Sequence, residues 1–368
     1  MRKTRTLICI ILFCALAVTG CKKEEEKKTV HLEPDKTTTE TQEDVKQEET
    51  VDFHQGQKKS YLTGKWINEK IADRRPLAIM MGNTSEACPQ SGIGRADVLY
   101  EVPVEGAITR IMAIFQNYSG LERIGSVRSC RYYFIYYAME FDAVYAHYGQ
   151  SKYAKPMLAQ ENVDNLNGLE GIGNTVFYRS HDAKAPHNAF AKASGIKKAI
   201  KIKKFRKNHD SDYKGHFLFG EEDKEITLEE YQNAKDAAYV APGYSIDAPW
   251  YEYNEKDGLY YRFAYGKPHK DAQTSKQLTA KNIILQYSAI GYMDDHMSLK
   301  IDTRSGGKGL FVTAGKAIPI TWSKDSEYGV THYFDQQGVE ITLNPGKTWI
   351  LIVDKDHLDK VKISATIE

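Results

Sequence analysis

The stretch ADVLYEVPVEGAITRIMAIF, residues 96–115, carries the strongest fold signal in the chain. Two runs rich in apolar and β-branched residues flank Glu105-Gly106, and this pattern predicts a β-hairpin. Pro103 lacks a backbone N–H, so we expect its strand to lie at a sheet edge or to be bulged there. The preceding run PLAIMMGN, residues 76–83, ends in Gly-Asn and predicts a buried strand that enters a turn.

Strands and helices alternate on the C-terminal side of this hairpin. The aromatic run YYFIYYAME, residues 132–140, predicts a buried helix that begins near Ser126 or Ser129 with a serine as its N-cap. A strand is predicted over 142–147, and an amphipathic helix from about Ala189. This alternation predicts α/β layers with a mixed sheet.

The last third of the chain consists of short β-rich runs separated by turn residues, without a long helical pattern. Such spacing is typical of an antiparallel barrel or sandwich. We therefore predict an α+β fold in two domains. The predicted parts are an α/β domain with a mixed sheet (61–210), a linker (211–234) and a mainly antiparallel β-rich domain (235–368).

The three tryptophans of the β-rich part admit two interpretations. Trp250, Trp322 and Trp349 could line a groove for a glycan or peptide. They could instead form an aromatic core with cross-strand pairs, and the sequence favours this second interpretation.

The N-terminus, MRKTRTLICIILFCALAVTGC, has the composition of an export signal. Its apolar run Leu7–Val18 follows three basic residues and is shorter than the roughly 20 residues of a membrane-spanning helix, the alternative interpretation. The Gly20-Cys21 end resembles a bacterial lipoprotein signal. That resemblance implies a signal peptide over 1–20, cleavage after Gly20 and a lipid anchor, with palmitate, on Cys21.

Residues 21–60 are rich in Glu, Lys and Thr and contain few large apolar side chains. Such a segment buries too little surface to offset its ordering entropy, so we predict a disordered tether. The alternative is a charged tail that binds a partner.

Overall charge argues against nucleic acid as a partner, because 50 Lys and Arg stand against 49 Asp and Glu. One local stretch, KKAIKIKKFRK at 197–207, is strongly basic. It is typical of the solvated face and end of a helix, and attraction to a membrane surface is the alternative.

Cysteine and histidine patterns predict neither a disulfide framework nor a metal or cofactor site. Outside the predicted signal and Cys21, the cysteines are Cys88 and Cys130, which could form one disulfide. A nucleophilic Cys130 helped by His147 or His187 is a weaker alternative. His181 and His187 lack the helical spacing of a zinc motif, so we expect no metal.

Polar side chains of the first domain cluster where predicted strands end and helices begin, the places where α/β folds bind ligands. Arginine can hold a carboxylate or phosphate with two hydrogen bonds, and helix N-termini attract anions. The alternative is that Arg110 pairs with Glu101 or Glu105 across the hairpin. The candidate anion cleft comprises Arg110, Arg128, Ser129, Arg131, His147, Arg179, His187 and Asn188.

Five motifs together resemble the YerB-like family, lipoproteins of Gram-positive and related bacteria. They are ADVLYE (96–101), GAITR (106–110), IGSVRSCR (124–131), DAVYAH (142–147) and APHN (185–188). The resemblance continues into the second domain and so covers nearly all of the chain beyond the tether. It implies no particular activity and no catalytic residues.

These features together predict a lipid-anchored binding or adaptor protein on the outer face of the cytoplasmic membrane. An envelope protein partner and an association with cell-wall synthesis are expectations from that location. The alternative is an extracytoplasmic enzyme for an anionic substrate, in which Arg110, Arg128 and Arg131 bind charge and His147 or His187 moves protons. No complete catalytic motif favours a particular reaction.

Replacing Cys21 with alanine tests the anchor. We expect Cys21→Ala to shift the protein from the membrane to the soluble fraction and to abolish palmitate labelling, because the acyl chains have no attachment point. Cys14→Ala, which removes a cysteine from the predicted signal, is the control and should leave both readouts unchanged. A Cys21→Ala variant that stays membrane-bound would contradict the lipoprotein interpretation.

Overall fold

The structure, a computed structural model, describes residues 54–367, so the predicted signal peptide and most of the tether lie outside it. The strands are β1 Gln57–Lys59, β2 Trp66–Asn68, β3 Leu77–Gly82, β4 Val98–Pro103, β5 Thr109–Phe115, β6 Ile124–Gly125, β7 Val144–His147, β8 Asn165–Asn167, β9 Phe177–Arg179, β10 Ala189–Ala191, β11 Leu218–Phe219, β12 Lys235–Asp236, β13 Tyr239–Ala241, β14 Trp250–Asn254, β15 Leu259–Ala264, β16 Lys267–Pro268, β17 Thr279–Ala280, β18 Asn282–Ser288, β19 Ile290–Tyr292, β20 Leu299–Ile301, β21 Gly307–Thr313, β22 Lys316–Lys324, β23 Thr331–Phe334, β24 Thr342–Leu343, β25 Thr348–Asp354 and β26 Lys362–Ser364. The helices are α1 Glu69–Ala72, α2 Tyr132–Met139, α3 Lys155–Leu158, α4 Gly173–Val176 and α5 Ala193–Lys203, with 3-10 turns at Ile93–Arg95 and Leu358–Lys360.

One mixed sheet of eleven strands contains strands from both predicted domains. Its order is β12-β22-β21-β18-β25-β4-β5-β3-β7-β8, and β23 pairs with β22. β25 is parallel both to β18 and to β4, with Thr348 opposite Val98 and Leu351 opposite Glu101. The predicted α+β class, with a mixed sheet in the first part and mainly antiparallel strands in the second, is confirmed.

The predicted hairpin is present as β4 and β5, but its position in the sheet differs from the expectation. β4 lies between β25 and β5 and is a central strand, so the edge assignment was wrong. Pro103 is tolerated because it ends β4, two residues beyond Glu101, where the pairing with β25 stops. No ladder hydrogen bond with β25 therefore requires its missing N–H.

Both faces of the central sheet are covered, which explains its near-continuous apolar strands. Leu77, Ile79 and Met81 of β3 share a core with the second sheet, β13 to β17 and β26. Ala78 and Met80 face the other side, in a core with the aromatic side chains of α2. The alternation of side chains along β3 thus places one strand in two hydrophobic cores.

Helix α2 begins three residues later than the nearer predicted serine, Ser129. Its N-cap is Arg131, and no side chain caps the helix. The preceding residues extend the sheet instead, since Val127 bridges to Met81 and Cys130 bridges to Gln150. Likewise, Ala189–Ala191 form strand β10 before the amphipathic helix α5 begins at Ala193. Tertiary pairing therefore overrides local helix signals at both places.

The predicted tether runs too far toward the C-terminus. Residues 57–59 form β1, paired with β2, and His54 stacks on Trp66 at 3.9 Å. Lys58 contacts Asp73 at 2.6 Å. A lysine that the sequence predicted to be solvated therefore has a carboxylate partner from outside the predicted tether. The remainder of the predicted tether lies outside the described residues.

Tryptophan positions support the core interpretation. Trp322 and Trp349 are buried, and Trp250 stacks on Phe263 of the neighbouring strand at 4.8 Å. Within residues 54–367, no helix is long and apolar enough to cross a membrane.

A buried ion cluster connects the end of α2 to the second part of the chain. Glu140 receives Lys324 Nζ at 2.6 Å and the Oγ1 of Thr331 at 3.0 Å, and it contacts His216 Nε2 at 2.5 Å. His216 lies in the predicted linker, which therefore contributes to the core. Burial alone would raise the pKa of Glu140, but the charge of Lys324 and the hydrogen bonds outweigh it and lower the pKa to about 2.

We expect Lys324→Met to lower the free energy of unfolding by about 3–5 kcal/mol, because it leaves Glu140 buried without its cation. Lys316→Met is the matched control in the same strand. The pair of Lys316 with Asp236 is partly exposed, so its loss should cost about 1 kcal/mol or less. Urea denaturation measures both, and equal losses would contradict this role.

The same cluster has a pH signature. The folded pKa of Glu140 lies below its ordinary 4.5, so the stabilisation is complete above that pH and is lost as pH falls toward 2. The stability difference between wild type and Lys324→Met should therefore narrow over this range.

Candidate anion-binding site

The predicted site residues converge at one edge of the central sheet. β3 and β7 are parallel and both end at this edge. β5 runs antiparallel to β3 and begins there, so that Arg110 lies opposite Gly82. The segment 127–130 crosses the same edge, since Arg128 N donates to Met80 O at 3.0 Å and Tyr148 N donates to Arg128 O at 3.0 Å.

Arg110 is a buried cation without a carboxylate partner. It is 7 % exposed, and its guanidinium donates to the backbone carbonyl of Ser129. Among residues 54–367, no carboxylate forms an ion pair with it. Burial lowers the pKa of Arg110 to about 10, with further lowering by the charges of Arg131 and Arg128.

The alternative ion pair across the hairpin is wrong. Arg110 lies opposite Val102, one residue beyond Glu101, and alternation along the strand therefore sends Glu101 to the other face of the sheet. There Glu101 contacts Arg262 at 3.0 Å. Glu105 pairs with Arg131 at 2.7 Å. Each hairpin carboxylate thus has a different arginine as its partner.

Arg128 adds a second positive charge to this edge. Its Nη1 donates to Pro186 O at 2.7 Å, and burial together with Arg131 lowers its pKa. Gly82 makes room for it, because a Cβ at this glycine would lie 3.1 Å from Arg128 Cγ. The sequence predicted Gly82 at the end of a strand but did not predict its contact with Arg128.

His187 and the β9–β10 connection border the arginines. Burial and then the charge of Arg128 lower the pKa of His187, and its Nδ1 is buried without a hydrogen-bond partner. Arg179 donates to Asn188 Oδ1 at 2.6 Å and lies 4.8 Å from the ring centre of Tyr148. We define the arginine cleft as Arg110, Arg128, Ser129, Arg131 and His187, with Arg179 and Asn188 as its neighbouring wall.

His147 does not join the cleft. It is fully buried, with Nδ1 2.8 Å from Gly149 O and Nε2 3.4 Å from Asn165 Oδ1. Burial lowers its pKa, so the ring stays neutral and positions the turn at Gly149. The expectation that His147 faces an anion is therefore corrected.

The two cysteines of the folded part are free thiols rather than a disulfide. Burial raises the pKa of Cys130 to about 12 and that of Cys88 to about 12. A protonated, buried thiol is a poor nucleophile, which argues against the Cys130 alternative.

Comparison with known proteins establishes the family. Residues 62–206 match the model "Protein of unknown function (DUF3048) N-terminal domain", and residues 240–350 match the corresponding C-terminal domain. The chain belongs to the DUF3048 family. It is 33 % identical over 306 residues to "Putative lipoprotein YerB" of Bacillus subtilis (strain 168), covering 83 % of this chain and 88 % of that protein.

A crystal structure of YerB from Bacillus subtilis is similar, with a TM-score of 0.72 and 33 % sequence identity. The similarity covers 83 % of this chain and 99 % of the YerB chain. The resemblance found in the sequence motifs is thereby confirmed. The name of the relative agrees with the lipid-attachment sequence predicted at the N-terminus.

A second polar network joins the two DUF3048 parts on the opposite face of the sheet. Asn83 Nδ2 donates to Glu101 Oε1 at 3.0 Å and to Asp247 Oδ2 at 2.9 Å. Arg262 contacts Glu101 Oε2 at 3.0 Å and donates to Tyr251 OH at 2.7 Å. Burial raises the pKa of Glu101; Arg262 opposes this shift and Asp247 reinforces it. The sequence contained no signal for this network, because its members are up to 179 residues apart.

Arg110→Met tests whether Arg110 is structural. Removal of a buried charge that faces two other arginines should leave the free energy of unfolding unchanged or raise it by about 1–2 kcal/mol. Arg131→Met should instead lower it by about 1–3 kcal/mol, because Glu105 is left without its partner. Urea denaturation without added multivalent anions measures both. A loss above about 1 kcal/mol for Arg110→Met would make it a structural residue.

Proposed function

We propose that this protein is a lipid-anchored, extracytoplasmic binding protein that captures a phosphate or carboxylate group in the arginine cleft. The observation that carries the proposal is the burial of Arg110 without a carboxylate partner among the described residues. A buried charge is costly unless an opposite charge accompanies it. Arg131 has a carboxylate partner, Glu105, and Arg110 has none among the described residues, so a bound anion would supply the missing negative charge.

The donor groups of the cleft suit such an anion. Within residues 54–367, Arg110 donates to one acceptor, Ser129 O, and Arg128 likewise donates to one, Pro186 O. A guanidinium has five N–H donors, so both retain donors for the two parallel hydrogen bonds that bind a carboxylate or phosphate. The unpartnered Nδ1 of His187 is a third polar atom next to Arg128.

Binding is better supported than catalysis. Cys130 and His147 are buried, and neither has the protonation state or exposure of a nucleophile or proton-transfer group. His187 beside Arg128 is the residue that favours the enzyme alternative, since a neutral imidazole could accept a proton. Glutamine keeps a side-chain N–H donor but does not accept a proton, so His187→Gln should retain anion binding under the binding proposal.

The anchor completes the proposal. The Gly20-Cys21 sequence and the lipoprotein name of the Bacillus relative both support lipid attachment at Cys21. A protein held there would present its cleft to envelope molecules. An adaptor role toward an envelope protein, including one of cell-wall synthesis, follows from this location. Cross-linking from intact membranes followed by mass spectrometry tests it, and recovery of no stable partner would count against it.

Inorganic phosphate should raise the melting temperature of the wild-type protein in a saturable way. At ten times the dissociation constant the stabilisation is about 1.4 kcal/mol. Arg110→Met and Arg128→Met should each abolish this shift, because each removes a guanidinium that receives the anion. Thermal unfolding with phosphate titrated against sodium chloride at constant ionic strength is the measurement.

Arg304→Met provides the matched control, because Arg304 is exposed in the second part of the chain. It should show the same phosphate-dependent shift as wild type. A shift that persists in both cleft variants would refute the arginine cleft as the binding site.

A further inference from the structure

Helix α5 presents a basic face to solvent. Its buried side is formed by Ala193, Gly195, Ile196 and Ala199, so the lysines between them are exposed. The amphipathic pattern therefore turns a run of lysines into one surface. We define the α5 basic face as the exposed lysines Lys197, Lys198 and Lys201 of the helix, together with Lys204 at its C-cap and Lys207 beyond its end.

The carboxylates near this face pair with two basic residues that are not part of it. Glu170 lies 3.8 Å from Lys203, and Asp142 and Asp210 pair with Arg206 at 2.8 and 3.4 Å. The five lysines of the α5 basic face form no ion pair with a carboxylate in residues 54–367, and Lys197 donates to Ser119 at 3.0 Å. Their combined charge is therefore available to an external anionic surface.

An exposed isoleucine lies within the same surface. Ile202 is 54 % exposed and follows Lys198 by one helical turn. The apolar face of α5 is buried in the fold, so attraction to lipid headgroups would rest on the lysines, with Ile202 as one added apolar contact.

The N-terminal described residues contact the segment that follows α5. Lys58 of β1 lies 5.3 Å from the ring centre of Tyr61, which packs against His209 at 5.6 Å. Arg75 N donates to Lys207 O at 3.0 Å, and His209 N donates to Asp73 O at 2.9 Å. Residues 73–75, which follow α1, are thus hydrogen-bonded to the segment after α5.

The length of chain between Cys21 and the described residues limits how far the fold can lie from its anchor. Between Cys21 and His54 lie 32 residues, which can span at most about 120 Å. A connection of up to this length places little restriction on which side of the fold faces the bilayer. The charge of the α5 basic face would therefore set the orientation toward the membrane.

We propose that the α5 basic face docks the folded part onto anionic phospholipid headgroups of the membrane that holds Cys21. The anchor would confine the protein to the bilayer, and the basic face would set its orientation. The proposal uses the anchor of the proposed function for orientation, but docking itself requires only the lysines.

Vesicle sedimentation tests the docking without the anchor. The form that begins at residue 21 and carries Cys21→Ala is mixed with vesicles of 30 % phosphatidylglycerol in phosphatidylcholine. It should bind these vesicles in a salt-dependent manner and bind pure phosphatidylcholine vesicles much less. Each basic residue near such a surface contributes about fivefold, so Lys198→Gln/Lys201→Gln should weaken binding roughly 10- to 30-fold.

Lys300→Gln/Lys308→Gln is the matched control, since both lysines are exposed in the second part of the chain. It removes the same charge and should bind like the parent. Equal weakening by both pairs, equal binding to neutral vesicles or no binding at all would each overturn the docking proposal. None of these results depends on lipidation or on phosphate binding, so failure here is distinguishable from failure of the proposed function.

Discussion

The parallel pairing of β25 with β4 is the constraint on which the rest of this structure depends. β25 comes from the end of the chain and lies between β18 and β4, with both of its faces buried. Its insertion merges the strands of the two DUF3048 parts into one sheet. Tyr244 crosses the same seam, because its hydroxyl lies 2.9 Å from Ile352 O and 3.2 Å from Glu101 O and can donate its one proton to either. The described residues accordingly form one compact unit.

Two buried polar clusters join the DUF3048 parts on opposite faces of that sheet. The Glu140–Lys324 cluster lies on the side of α2, and the Glu101–Arg262 network lies on the side of the second sheet. Buried ion pairs are weak evidence for stability as such, because desolvation offsets much of their attraction. Their fixed geometry instead favours one relative placement of the two DUF3048 parts. Any other placement would separate an ion pair and leave a buried charge without its partner.

The arginine cleft differs from these clusters in the feature that matters for function. Glu101, Glu105 and Glu140 each have a cation within 3.0 Å, whereas the partner of Arg110 in the described part of the chain is a backbone carbonyl. The fold thus balances charge within the two joining clusters and leaves positive charge unbalanced at one sheet edge. That edge collects strand ends and a crossing loop, which is where α/β sheets place ligand groups.

Local patterns in the sequence determined much of the fold. Apolar periodicity located the strands of the hairpin and of β3, and the composition of the N-terminus indicated export. The set of arginines near strand and helix ends was also recognisable, since those positions follow from the predicted boundaries of the elements.

Only the tertiary structure decided which partner each side chain has. β4 and β25 are about 250 residues apart. The apolar pattern of a strand predicts that it is buried but does not predict which strand pairs with it. For the same reason, the sequence predicted the start of α2, the role of His147 and the partner of Glu101 incorrectly. Each of these depends on pairing across the sheet. Whether a side chain is buried can be predicted from the periodicity of its own segment. Whether a buried charge has a partner depends on the other segments that surround it in the fold.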